Sequence, residues 1–307
     1  MDKVVNMKKA AFFALFLPVV GMLGYIGWNL TKEHSLPDWE VTLAPVNASN
    51  AKILDGAFRK LDYHWPLAVG DEVPPIMVDP LPADLGEVKV VKLKKSLFFR
   101  ALLPTVLAEN AKLNEQRRFM LALFAHKELP PQGSDKRKWL DEQMVDYRVK
   151  GNIEDEATRA ELARRLDEVP VALVLAQAAN ESAWGSSRFA REARNLFGEW
   201  TYKEGEGLVP EARAEGKSHA VRIFPTLRAS VKSYMNNINS GRAYEELRVM
   251  REEMRNNQRP LDALKLAEGL VSYSERGEEY VEEIKKMIRS NRLVVLREVT
   301  LNVESDS

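Results

Sequence analysis

Apolar positions divide the chain into stretches of different character. Ala10 to Leu30 carries no charge and follows three lysines, Lys3, Lys8 and Lys9. About 20 apolar residues suffice to cross the hydrocarbon core of a bilayer, and lysines ahead of them favour a cytoplasmic N-terminus. A cleavable signal has a shorter apolar core followed by a small-x-small site; here Gly24 to Trp28 is bulky and aromatic. Residues 1–31 are therefore expected to form an uncleaved signal-anchor, with a cleaved export signal as the alternative. Residues 32–90 hold seven of the 15 prolines and no long helical period. They are expected to form a tether, partly packed on the domain that follows, with short extended pieces such as Glu87 to Leu93.

From Lys95 the pattern turns helical. Phe98, Leu102, Leu103, Val106, Leu107 and Leu113 recur at spacings of three to four within Leu97 to Ala125. Asp135 to Tyr147 and Glu154 to Leu166 also read as helices. Between Val171 and Ala179 every residue except Gln177 is apolar, the pattern of a helix buried on all sides rather than along one stripe. A loop and a β-hairpin follow, its second arm at His219 to Phe224 and its tip near Glu215-Gly216. Helical periods resume at Thr226 to Asn239, Ala243 to Asn256, Pro260 to Leu270 and Gly277 to Ser290. The tail, Val294 to Val303, alternates like a strand. The expected fold class is mainly α (α+β), with a folded domain over 91–293 and a strand-like tail over 294–307.

Composition narrows the chemistry. A chain of 307 residues, 45% hydrophobic and 29% charged, can bury one sizeable core. Lys+Arg and Asp+Glu are both 45, which gives no electrostatic reason to expect a nucleic-acid partner. Absence of cysteine excludes disulfides and thiolate catalysis. Histidines at 34, 64, 126 and 219 are too scattered for metal-ligand spacing. Neither a metal nor a cofactor is implied.

One side chain remains conspicuous. Glu181 closes the apolar run, with Trp184 and Gly185-Ser186-Ser187 just beyond. At a helix C-terminus the dipole disfavours negative charge, and desolvation beside an aromatic acts in the same direction, so the carboxyl pKa is expected to be raised. A proton donor to a glycosidic oxygen needs that property. The alternative is a solvated glutamate at a helix end.

The run Ala178, Glu181, Ser182, Trp184, Gly185, Ser187 followed by Asn195-Leu196-Phe197-Gly198 resembles the signature of bacterial glucosaminidase domains, glycoside hydrolase family 73. Three further segments, Phe98 to Arg117, Gly207 to Phe224 and Val271 to Ile288, are similar to the Bax-type branch of these proteins. The resemblance covers roughly residues 90–290. It implies a lysozyme-like helical domain with a small β-hairpin, a peptidoglycan glycan strand as substrate, and Glu181 as general acid. It also implies a second acid on the hairpin, where Glu211 is best placed and Glu215 next. Tyr273, matching the first tyrosine of a late family motif, is expected to be functional, and Tyr280, matching the second, to pack in the core. Asn195 and Phe197 would shape the sugar site or simply pin the loop, Trp200 and Tyr202 would be platforms for sugar faces or hairpin core, and Trp184 would pack against the acid.

Together these readings make the chain a peptidoglycan hydrolase cutting β-1,4 N-acetylglucosaminyl linkages. Its expected place is the inner membrane, single-pass, with the catalytic domain in the periplasm. A muramidase, a lytic transglycosylase or a non-catalytic glycan-binding scaffold are the alternatives.

Overall fold

The computed structural model describes residues 36–203, 205–210 and 219–302. The apolar stretch Ala10 to Leu30 lies outside them; among the described residues no helix is long and apolar enough to cross a membrane.

The segment before the helical domain is built into the fold. Strand β1 (Ala44–Pro45) precedes helix α1 (Ala51–Lys60), whose first turn is capped by Asn50 Oδ1 accepting from Ile53 N at 2.8 Å. Leu54 and Phe58, four residues apart, are fully buried. Strands β2 (Glu72–Val73) and β3 (Ile76–Met77) follow, β3 pairing parallel with β1. The expected extended piece at Glu87 to Leu93 is shorter: Val88 and Val90 have extended backbone between a 3-10 turn, Ala83–Glu87, and the next helix at Val91. Prolines on either side conceal the short helical period of α1 in the sequence, and buried apolar positions fix it in place.

Helix α2 (Val91–Ala125) is 35 residues long and has Pro104 inside it. Its stretch from Leu97 to Asn110 is buried continuously. Helices α3 (Asp135–Asp146) and α4 (Glu156–Arg165) then lead to α5 (Val171–Glu181). As the unbroken apolar pattern requires, Val171 to Ala179 are all buried; α5 packs against α2 and the later helix α10. The side chain of Asn110 clamps its entry, donating to Val169 O at 2.8 Å and accepting from Val169 N at 3.0 Å. Asp167, just upstream, anchors the same corner, accepting from Arg255 at 2.8 Å with the Arg117 and Arg251 guanidinia at 3.6 and 3.8 Å.

After the short helix α6 (Arg188–Glu192) come β4 (Trp200–Thr201), β5 (Gly207–Leu208) and β6 (Ala220–Arg222). The expected hairpin is present as β5–β6, but β6 also pairs antiparallel with β4, making a three-stranded sheet in the order β4-β6-β5. A Cβ on Gly207 would stand 2.7 Å from Ala220 Cβ and 2.9 Å from Val221 O, so the sheet closes only on a glycine there. Helices α7 (Leu227–Ser240), α8 (Glu245–Asn256), α9 (Ala263–Leu266) and α10 (Glu278–Ser290) complete the domain. The tail departs from an unbroken strand: Leu293–Glu298 is a 3-10 turn with Leu293 and Leu296 buried, and only β7 (Thr300–Leu301) pairs, parallel with β2.

Candidate active site

Glu181 sits in the last turn of α5, and the chain turns sharply beyond it. Ala183, Trp184 and Gly185 all have positive φ, at 50°, 61° and 73°. A bulky residue such as Trp184 adopts that region only where its surroundings hold it. Ser182 supplies the hold: its Oγ donates to Ala178 O at 2.6 Å and accepts from Gly185 N at 2.8 Å. Trp184 N donates back to Ala179 O at 2.9 Å. The Trp184 ring packs edge-on against Phe98 and Phe99 of α2, with Lys95 Nζ 4.6 Å above it. Its aromatic contacts thus run to α2, where it locks the turn. The hydroxyl that meets the acid comes from a tyrosine of α10.

That tyrosine is Tyr280. Its hydroxyl donates to Glu181 Oε1 at 2.9 Å, while Asn180 Nδ2 makes a longer contact at 3.4 Å. Behind it, Gln177 Nε2 donates to the Tyr280 hydroxyl at 2.9 Å, and the Tyr234 hydroxyl donates to Gln177 Oε1. Gln177 is the one polar residue of the buried run, and four residues before Glu181 it lies on the same helical face. Three elements, α7, α5 and α10, thereby form a directed chain of donors ending on the carboxylate. Burial raises the Glu181 pKa, and the Tyr280 and Asn180 hydrogen bonds oppose that rise in part. Burial likewise pushes the phenols of Tyr234, Tyr273 and Tyr280 up, so they stay protonated donors at neutral pH.

Tyr280, read from the sequence as core packing, is thus the phenol on the acid. Tyr273 ends the 3-10 turn Ala267–Tyr273, stacks on Tyr280 at 5.1 Å and donates to Phe197 O at 3.1 Å. It ties the Asn195–Gly198 run to α10 rather than bonding Glu181. Asn195 is 2% exposed, and its amide is committed. Nδ2 donates to Glu199 O and Arg222 O, both at 2.9 Å, and Oδ1 accepts from Phe197 N and Glu199 N at 3.3 and 3.0 Å. It holds the loop and has no free group with which to read a sugar, which corrects the expected binding role. Phe197 is buried against Tyr234, their rings 3.9 Å apart and 11° from parallel, so it too is part of the core rather than an open sugar wall. Trp200 and Tyr202 are exposed, and Trp200 stacks on His219 at 4.3 Å. Glu211 and Glu215 lie outside the described residues. Glu206 is exposed and faces Lys203 at 3.6 Å.

Sequence reasoning passed over Glu199, which directly follows the Asn195–Gly198 run. Its side chain is 17% exposed and accepts from Ser233 Oγ at 2.8 Å. Like Glu181 it is an acid beside a tryptophan, a signal available in the sequence.

Residues 157–293 match the family model Glucosaminidase, described as mannosyl-glycoprotein endo-beta-N-acetylglucosaminidase. The chain is also 28% identical over 204 residues to Protein bax of Escherichia coli (strain K12), covering 66% of this chain and 71% of that one. The chain is thus similar to a glucosaminidase domain over residues 157–293 and, over two thirds of its length, to a Bax-type protein. No solved structure matches it significantly. The glucosaminidase match begins in α4 and ends just past α10, so it contains Glu181, the tyrosines and the sheet but neither α1 nor α2. A domain of this family supports a glycan-cleaving glycoside hydrolase.

Proposed function

We propose that the protein is a peptidoglycan hydrolase that cleaves β-1,4 N-acetylglucosaminyl linkages of wall glycan, with Glu181 as general acid. The observation that carries this reading is the buried end of α5, where Glu181 meets the Tyr280 hydroxyl at 2.9 Å in a setting that favours its protonated form. A protonated carboxyl there can deliver its proton to the glycosidic oxygen as the bond to the anomeric carbon breaks. The Tyr280 hydroxyl then donates to the carboxylate left behind, and Gln177 and Tyr234 support that phenol from below. Exposed Trp200 and Tyr202 offer faces on which sugar rings stack. Three lysines and the apolar stretch before the domain support a membrane anchor with the domain on the periplasmic side, where this substrate lies.

Mass analysis of purified peptidoglycan digested by the protein tests the reading. Reducing-end N-acetylglucosamine is expected. Reducing-end or anhydro-muramic acid would make it a muramidase or a lytic transglycosylase, and no product would make it a binding scaffold. Glu181→Gln is expected to lower turnover by about 10²- to 10⁴-fold, the usual range for a general acid, with folding and glycan binding retained. Equal activity in mutant and wild type would remove Glu181 from the chemistry.

A further inference from the structure

A general acid alone does not complete hydrolysis: a second group must activate water or stabilise the oxocarbenium-like transition state. Glu199 has the attributes of that group. Its backbone is pinned on both sides, the N–H donating to Asn195 Oδ1 at 3.0 Å and the carbonyl accepting from Arg222 N at 2.9 Å. Gly198 before it, at φ 68°, sets the turn that directs the side chain back into the domain. There Oε2 accepts from Ser233 Oγ, which itself accepts from Arg222 Nη1 at 3.1 Å. Arg222 Nη1 also stands 3.8 Å from Oε2 directly. Oε1 is fully buried, and among the described residues no group donates to it. Buried polar atoms are nearly always paired, so an orphaned carboxylate oxygen calls for an explanation.

The surroundings connect this acid to Glu181. Tyr244 and Tyr273 lie close enough to both carboxyl groups for each charge to raise their pKa values. Phe197, two residues before Glu199, stacks on Tyr234, the far end of the donor chain to Glu181. The two acids therefore flank one cluster of tyrosines. They reach it from different elements, Glu181 from the end of α5 and Glu199 from the loop before β4. Burial raises the Glu199 pKa, while Ser233 and Arg222 support its charged form.

We propose that Glu199 is the second catalytic carboxylate, accepting a proton from the hydrolytic water. This rests on the glycan-hydrolase reading above. In the step, Glu181 gives its proton to the glycosidic oxygen and the bond from that oxygen to the anomeric carbon breaks. A water oxygen bonds to the anomeric carbon, and the water's surplus proton passes to Glu199. The products are a hemiacetal and an alcohol, and both acids exchange protons with solvent to reset. Rotation about the terminal carboxylate bond, a broad and soft torsion, lets either oxygen serve.

Turnover of purified peptidoglycan by the intact protein tests this with four variants. Glu199→Gln, which preserves the acceptor for Ser233, is expected to lose at least about 10²-fold in kcat with KM little changed. Its residual activity is expected to lack the acid limb of the wild-type pH profile. Glu199→Ala is expected to be rescued by sodium azide, which replaces water at the anomeric carbon and gives a glycosyl azide visible by mass. Arg222→Lys, retaining a cation near Ser233, is expected to keep most activity. Glu181→Gln serves as the control. Should wild type be inactive, or Glu181→Gln match it, the glycan-hydrolase reading fails. Should Glu181→Gln be inactive while Glu199→Gln stays within a few-fold of wild type, Glu199 is not the second group. A loss in Glu199→Gln with an unaltered pH profile, and no azide adduct from Glu199→Ala, would make Glu199 structural and overturn the assignment.

Discussion

At the scale of the residue, the conflict around Glu181 has a measurable signature. Burial lifts its pKa and the Tyr280 hydroxyl pulls it down, because a donor favours the charged form. Removing that donor in Tyr280→Phe is expected to raise the pKa further. The proposed general acid then stays protonated to higher pH, and the alkaline limb of the kcat profile should move upward while maximal turnover falls. A limb that moves down, or stays fixed, would show that Tyr280 does not act on Glu181. Stability carries the same sign. A carboxyl whose folded-state pKa is raised binds more protons folded than unfolded, so it costs stability as pH rises from the ordinary value of 4.5 through the folded one. Thermal melts of Glu181→Gln should therefore show a higher Tm than wild type at pH 7 and no gain below pH 4. Glu181 could be picked out in the sequence because a lone acid ending an apolar run is unusual there. Tyr280 could not: on an amphipathic helix 99 residues away, a buried tyrosine reads as packing until the fold brings its hydroxyl to the acid.

Between the single residue and the molecule lies the placement of α5. Its apolar content guarantees burial but sets neither its depth nor its rotation; the Asn110 clamp on Val169 helps to do so from α2. Asn110→Leu would leave the Val169 N–H and carbonyl buried without partners, at about 1 to 3 kcal/mol for each unmade bond. Chemical denaturation is expected to show a loss of about 2 to 6 kcal/mol, and a loss under 0.5 kcal/mol would mean the clamp is dispensable. Long helices such as α2, α3, α7, α8 and α10 were legible because their apolar periods run for several turns. The helix α1 was not, since Leu54 and Phe58 give a single repeat among prolines. The tail misled for a related reason: alternation in Val294 to Val303 fits a strand, yet Leu293 and Leu296, three apart, are buried on a 3-10 turn.

For the whole molecule, the match at 157–293 is smaller than what must fold together. Helix α5 packs on α2, and a Cβ on Gly185 would stand 2.5 Å from Leu81 Cδ1, so the turn after Glu181 rests on residues far upstream. A fragment of residues 157–293 is accordingly expected to lack a cooperative thermal transition, whereas residues 36–307 should melt as one unit. Circular dichroism of the two would decide, and a sharp transition in the short fragment would count against a shared core. The built-in position of residues 36–90 also limits reach. Leu36 and Trp39 already pack against a cluster of buried apolar residues that includes Trp139 and Leu140. With the proposed anchor ending at Leu30, five residues separate it from Leu36, a leash of at most about 20 Å when fully extended. On that proposal a domain held so closely would work within a shallow layer above the membrane surface, on glycan as it leaves the bilayer rather than on wall farther out.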